Sequence, residues 1–190
     1  MFKFKCISSY CVDMGNKLFV KAIKEDGNVD LLIYGRHTDI DTLVLMEVEG
    51  KIKNTNKPYL VVDSVNIIDR FEKIRESFSK LSVGMLFLEI SYRANCCFNL
   101  LIRCLNKLKE WDSLLSLVCF LYLFLEENGV MDRSIFTPEQ IEMINELTQE
   151  KPKIPKTNEK MILNSLKNTL IKEIQNYLGR ELNSLKLLKL

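Results

Sequence analysis

Hydrophobic and polar positions along this chain change period once, near residue 70. Before that point the pattern alternates with a period of two, which sends successive side chains to opposite faces of a strand. Residues 3–12 open with alternating Phe and Lys. Leu18, Val20 and Ala22 alternate with Lys17, Phe19, Lys21 and Ile23. Residues 29–34 form a third apolar run ended by Gly35, Val44, Met46 and Val48 alternate with Glu47 and Glu49, and residues 59–68 form a fifth run. Glu25-Asp26-Gly27-Asn28 reads as a turn in which glycine takes positive φ. Asn54-Thr55-Asn56-Lys57-Pro58 reads as another. Five short strands with polar turns over residues 1–69 predict a closed β-barrel of the OB type, with an SH3-like barrel as the nearest alternative.

From Arg70 onward the apolar positions recur every three or four residues. Phe71, Ile74, Phe78, Leu81, Met85, Leu88 and Tyr92 predict one face of a long helix, and Cys97, Leu100, Leu101, Cys104, Leu105 and Leu108 a second. Residues 113–125 are apolar nearly all round, so a third helix belongs at the buried centre of a bundle. Thr137-Pro138-Glu139-Gln140 carries a helix start: a Thr cap, Pro in the first turn, and Gln three residues after the cap. Ile141, Ile144 and Leu147 form the stripe behind it. Residues 151–156 hold two prolines and read as a linker. Ile162, Leu166, Leu170, Ile174 and Leu178 mark a further helix over residues 158–178, ended or bent by Gly179. Residues 182–190 read as a short terminal helix or tail. The predicted class is α+β: an OB-fold barrel at 1–69 followed by an all-α bundle at 70–190. No flexible segment separates them, so the two parts are expected to pack as one body.

Composition narrows the class without fixing the function. An apolar fraction of 47% and a mean hydropathy near zero fit a soluble globular chain. A chain of 190 residues buries about 70% of its unfolded surface. Basic and acidic residues number 27 and 25. That balance is not a nucleic-acid signature, but its distribution is uneven: residues 125–150 carry a local −6 and residues 151–190 a local +6. Lys outnumbers Arg 20 to 7, which suits loose phosphate contacts better than bidentate reading of bases, and follows equally from codon bias. The six cysteines show no C-x-x-C spacing. Cys97 and Cys104, seven apart, are expected on one buried helix face as free thiols. The first residues lack a signal peptide's apolar core, and residues 113–125 fall short of the ~20 a membrane helix needs. A cytoplasmic protein without a membrane partner is expected.

Candidate chemistry is sparse. The only histidine, His37, sits in a predicted loop. Asp39 with Asp41, and Glu47 with Glu49, are two-apart carboxylates of a kind that bind Mg²⁺ beside phosphate, and also of a kind that solvate a barrel face. No phosphate-loop, dinucleotide or nucleophile-elbow motif occurs. The expectation is a nonenzymatic protein without metal or cofactor, a metal-dependent nuclease using Asp39 and Asp41 being a weaker alternative. Binding has more support. OB barrels hold single strands where cations track phosphate and rings stack on bases. Lys17, Lys21, Arg36, Lys51, Lys53 and Lys57 are the candidate DNA contacts, with Lys51 and Lys53 sharing a strand face. Tyr10, Phe19, Tyr34 and Tyr59 are the candidate rings. At the C-terminus, Lys172, Arg180, Lys186 and Lys189 border an apolar series of Ile171, Ile174, Leu178, Leu182, Leu185 and Leu188. A basic rim beside an apolar groove suits an acidic, hydrophobic peptide tail, and the same series suits an ordinary packed helix.

Several stretches, taken in order, resemble the RecO family of bacterial recombination mediators. Gly15-Asn16-Lys17-Leu18, Glu25-Asp26-Gly27 and Tyr34-Gly35-Arg36 are similar to that family's barrel opening. Val48-Glu49-Gly50-Lys51-Ile52 and Ile67-Ile68-Asp69-Arg70-Phe71 resemble its barrel exit, and Leu86-Phe87-Leu88-Glu89-Ile90 its first long helix. The most specific likeness is the terminal Tyr177-Leu178-Gly179-Arg180-Glu181-Leu182-Asn183-Ser184-Leu185-Lys186. The resemblance implies DNA repair by homologous recombination: binding single- and double-stranded DNA, annealing complementary strands, and working with RecR to load the recombinase onto strands covered by single-strand-binding protein. It also implies a bacterial, nucleoid-associated location. The acidic C-terminal tail of single-strand-binding protein would dock on the helical part, at Lys172, Arg180 and Lys186. Two departures stand out. The four-cysteine zinc module of some relatives is missing, since residues 126–160 contain no Cys, and the basic cluster after the barrel glycine is reduced to Arg36 and His37. A protein-interaction adaptor whose barrel binds no nucleic acid is the alternative from another class.

Overall fold

The computed structural model describes residues 1–35, 37, 39–51, 58–147 and 157–188. The predicted linker at 151–156 lies outside the described residues, as does most of the predicted turn at 54–58. Strands β1 (Phe2–Asp13), β2 (Lys17–Lys24), β3 (Gly27–Tyr34), β4 (Leu45–Gly50) and β5 (Leu60–Asp69) close a barrel in the order β1-β2-β3-β5-β4, with β4 pairing back onto β1. Only the β3–β5 edge is parallel. A five-stranded closed barrel of this strand order is the OB fold. The turn between β2 and β3 uses Gly27 at φ 123°.

Alternation sorts each strand into two faces. Cys6, Leu18, Val20, Ala22, Leu31, Ile33, Met46, Val48 and Val62 fill the barrel interior. On the outside, Ile7 and Ile23 are paired across β1 and β2 and join the core of the helical region instead. Between β3 and β4, Leu43 takes φ 66° and is wholly buried in that same core. Ser8 anchors the segment leading to it. The Ser8 carbonyl accepts from Leu43 N–H at 2.8 Å, and Ser8 Oγ accepts from Val44 N–H at 2.9 Å and donates to the Asp41 carbonyl. From the other side Arg75 donates to the carbonyls of Thr42 and Leu43. Residues 41–44 are thus pinned to both halves of the molecule.

The helices are α1 (Glu72–Arg75), α2 (Phe78–Ala94), α3 (Phe98–Glu110), α4 (Ser113–Glu127), α5 (Pro138–Leu147) and α6 (Thr157–Leu178), followed by a 3-10 turn at Asn183–Leu187. The single long helix expected from Phe71 onward is broken. Phe71 is left-handed at φ 52°, α1 is one turn long, and Ser77 caps α2 by accepting from Lys80 N–H. The stripe assigned to α2 also differs. Leu88 of the predicted stripe is buried, and so are Val83, Leu86, Phe87 and Ile90 outside it, whereas Phe78 is 60% exposed and Leu81, Met85 and Tyr92 are half-buried. The reason is position: α2 packs on helices with one side and on the barrel with the other, so it has no single apolar face. α4 is the buried centre its composition predicts, with Phe120 stacked on Phe87 at 4.1 Å between centroids. The capping box of α5 forms as read, Thr137 N–H donating to Gln140 Oε1 at 3.0 Å and Gln140 N–H to Thr137 Oγ1 at 3.3 Å. α6 ends at Gly179, where φ 68° lets Arg180 N–H reach back to the Gln175 carbonyl at 3.2 Å. No described helix is long and apolar enough to cross a membrane.

Candidate nucleic-acid interface

One irregularity builds the open face of the barrel. The β1–β2 register shifts between Ser8 and Tyr10, and Ser9 Oγ donates to the Lys21 carbonyl at 2.9 Å across the shift. A bulge inserts one residue and flips the parity of everything after it. Upstream, Ile7 faces outward. Downstream, Cys11 faces in, and Tyr10 and Val12 face out beside Lys21 and Phe19. The registers then set three rows across β1, β2 and β3: Tyr10–Lys21–Asp30, Val12–Phe19–Leu32, and Lys17–Tyr34. Rows of this kind lie about 7 Å apart along the strands.

The face is apolar and aromatic at its centre and carries two cations. Tyr10 and Tyr34 are 55% and 52% exposed, and Phe19 is half-buried between them. Lys17 Nζ stands 5.2 Å from the Tyr34 ring centroid. Lys21 Nζ leans the other way, 6.0 Å from the Tyr92 ring of α2, so this lysine belongs to the barrel–helix boundary as much as to the barrel. Flat rings with adjacent ammonium groups can stack on bases and hold phosphate without reading sequence.

Of the remaining predicted DNA contacts only Lys51 is among the described residues. Lys51 is exposed one residue past the end of β4 at Gly50, and its predicted pairing with Lys53 falls outside the described residues. Arg36, Lys53 and Lys57 lie outside the described residues. Of the predicted rings, Tyr59 is half-buried where Pro58 and Leu60 border Asn28, Val29 and Asp30 of β3. At the C-terminus, Lys172, Arg180 and Lys186 are exposed. The apolar series beside them turns inward: Ile174 and Leu182 are core residues, and Ile171, Leu178, Leu185 and Leu188 pack against the same core. That packing is the plainer of the two sequence readings.

The predicted carboxylates are engaged. Asp39 pairs with Arg70 at 3.2 Å and Asp41 with Arg75 at 3.8 Å, while Lys3 lies 3.2 Å from Glu47 and 3.8 Å from Glu49. Among the described residues no group of three or more His, Cys, Asp or Glu side chains is placed to hold a metal ion. A cleft of about 590 Å³ at the barrel mouth is lined by Cys11, Asp13, His37 and Asp41. Burial, reinforced by Asp41, pushes the Cys11 thiol up to about 12, against the opposing pull of Ser8 and Arg75. It therefore stays protonated and a poor nucleophile at neutral pH. His37 Nε2 is 3.0 Å from the Tyr34 carbonyl.

A second cleft, of about 310 Å³, continues the open face onto α2, between Tyr10 and Lys21 of the barrel and Met85, Leu88 and Tyr92 of the helix. Glu89 closes one side. Its carboxylate accepts from Asn183 N–H at 2.9 Å and Ser184 N–H at 2.7 Å, and pairs with Arg93 at 2.5 Å. Arg93 in turn donates to the Glu181 carbonyl at 2.7 Å. Burial pushes Glu89 up, but the N–H groups of Ser184 and Asn183, the Ser184 hydroxyl and Arg93 together outweigh it and hold the carboxyl below its ordinary value. This clip explains the terminal signature physically: Gly179 turns the chain, Leu182 enters the core, and Asn183 and Ser184 present N–H groups to α2. The pairing of residues about ninety apart left no local trace, so sequence reasoning missed Glu89, Tyr92 and Arg93.

No protein-family model and no curated protein matches the chain. Among solved structures it is similar to an aspartyl tRNA synthetase from Entamoeba histolytica at 11% identity and a TM-score of 0.32, over 98% of this chain and 54% of that one.

Proposed function

We propose that this chain is a nonenzymatic DNA-binding protein that acts as a recombination mediator in DNA repair, holding single strands on its OB barrel and assisting recombinase loading together with RecR. The observation that supports it best is the exposed β1–β3 face, where Tyr10, Phe19 and Tyr34 stand with Lys17 and Lys21 on the strands OB folds use for oligonucleotides. The order of barrel and bundle, and the terminal stretch the RecO resemblance rests on, support the rest of the reading. Exposed Lys172, Arg180 and Lys186 are the proposed contacts for the acidic tail of single-strand-binding protein.

Titrating a labelled single strand at increasing salt tests the reading. Each neutralised phosphate contributes about −0.7 to the slope of log K against log salt on single strands, so Lys17 and Lys21 together supply a slope near −1.4. K17E/K21E should flatten it, and Y34A should cost about 1–3 kcal/mol of affinity by removing one stacking platform. Absence of binding at low salt overturns the proposal. In that case the adaptor reading takes over. It is favoured by Asp30 sitting in register beside Lys21 on the same face. It predicts that nuclease-treated lysate yields protein partners only.

A further inference from the structure

Between α2 and α3 the chain makes a turn whose backbone is costly. Asn95 and Cys97 are both left-handed, at φ 55° and 70°. Asn tolerates that region and Cys does not favour it, so Cys97 occupies a position where Gly or Asn would be the cheaper residue. Strain of this kind points to a role that over-determines the geometry. Here the turn sets two adjacent thiols face to face: Cys96 Sγ and Cys97 Sγ are 2.9 Å apart, both half-buried and free. One amide serves both. Cys96 Sγ donates to Asn128 Oδ1 at 3.5 Å, and Asn128 Nδ2 donates to Cys97 Sγ at 3.4 Å. Asn128 is itself fixed by the Phe124 carbonyl at 2.7 Å and the Tyr177 hydroxyl at 3.4 Å.

We propose that Cys96 and Cys97 form a reversible dithiol site that a low-molecular-weight disulfide oxidises to a vicinal disulfide. Cys97 attacks the small disulfide, releases one small thiol and carries the other as a mixed disulfide. Cys96 then attacks the Cys97 sulfur, releasing the second small thiol. Two S–H bonds and one small-molecule S–S bond are lost; one S–S bond within the chain and two small thiols are gained. The order follows from the shared amide: Asn128 Nδ2 offers a donor to the Cys97 sulfur, as an attacking sulfur requires, whereas Cys96 Sγ spends its own proton on Asn128 Oδ1. Burial also pushes the Cys96 thiol up, which suits a resolving partner. The other four thiols do not share this arrangement.

The test is direct because cleavage after Arg93 and Arg103 isolates both sulfurs on one peptide, residues 94–103, with no other cysteine. The folded full-length protein is treated with oxidised glutathione, trapped with an alkylating reagent and analysed by mass spectrometry. The expected peptide is lighter by two hydrogens, takes no alkyl group, and recovers both sites after mild reduction. C96S should instead accumulate glutathione on Cys97. A wild-type peptide that retains glutathione to the same extent as C96S, or that alkylates at both positions, overturns the proposal. Circular dichroism of C96S guards against reading an unfolded variant, and the wild-type result stands without it.

Discussion

Two glycines show how differently the halves of this molecule are constrained. Gly50, at the end of β4, lies where the β4–β5 register shifts. A Cβ there would sit 2.4 Å from the Val61 carbonyl oxygen and 2.7 Å from the Phe2 ring. Gly84, inside α2, would place the same atom 3.5 Å from Ile74 and Leu43 and 3.6 Å from Leu105, at ordinary contact distance. In the barrel, strand closure brings backbone against backbone, and shape is decided by register, the bulge at Ser9 and the residues that allow close approach. In the bundle, helices stand apart and shape is decided by the volume of the side chains between them. Breaking each half therefore calls for a different kind of substitution.

The largest effect is expected at the bundle's centre. Phe120 is fully buried and stacked on Phe87. F120A removes the ring from a site bounded by several helices, which cannot all close on the gap, and should cost about 3–5 kcal/mol in urea unfolding. A loss below about 1 kcal/mol would mean that the helical core relaxes freely and that volume does not rule there.

G50A is the matching test of the barrel. The methyl has to displace either a backbone carbonyl or the Phe2 ring, and should cost about 1–3 kcal/mol. Hydrogen exchange separates the two cases: G50A should speed exchange along the β1–β4 ladder while leaving α4 protected, and F120A should do the reverse.

The sequence made much of this division legible. Period-two alternation marked the strands, an all-round apolar run marked α4, and Thr137 with Gln140 marked the start of α5. What escaped was set by packing over long separations. The stripe from Phe71 to Tyr92 looked like one face of one helix. A helix wedged between barrel and bundle needs apolar residues on two sides, so the spacing alone could not say which side is deeper, nor that Phe78 is exposed. Of the candidate site, Lys17, Lys21 and the rings of Tyr10, Phe19 and Tyr34 were readable from alternation. The bulge that brings Tyr10 alongside Lys21 was not, because one inserted residue leaves the composition of β1 unchanged. Cys97 was assigned to the same buried face as Cys104; it instead caps α3 from a left-handed turn, half-buried, while Cys104 is buried as expected.

Glu89 probes the seam between the halves. Its folded carboxyl titrates below the ordinary value of 4.5, so the stability it contributes is present above about that pH and is lost as pH falls toward the folded value. E89Q keeps the shape but not the charge. The cleft is open to solvent on one side, so the variant should lose only about 1 kcal/mol at pH 7. Unfolding curves of the two proteins should draw together as pH falls from 4.5 through the folded value. A gap that stays constant throughout acid titration would show that the clip to Asn183 and Ser184 does not depend on ionisation.

The smallest expected effect has the opposite sign. Gly84 lies within α2, where glycine costs about 0.5–1 kcal/mol relative to alanine because the unfolded chain has more conformations to lose. No backbone atom stands in the way of a methyl, and the three nearest atoms are ends of Leu43, Ile74 and Leu105 side chains. G84A should therefore stabilise the protein, by up to about 1 kcal/mol or roughly 2–4 °C in Tm. Leu43 makes the outcome informative, since it joins Ile7 and Ile23 as a residue of the barrel region in the helical core and reaches α2 at this glycine. If G84A destabilises, barrel and helix are drawn together more tightly than contact distances imply, and the seam is ruled by backbone approach, as Gly50 is. If it stabilises, the constraint changes from backbone to side chain on the helix side of Leu43.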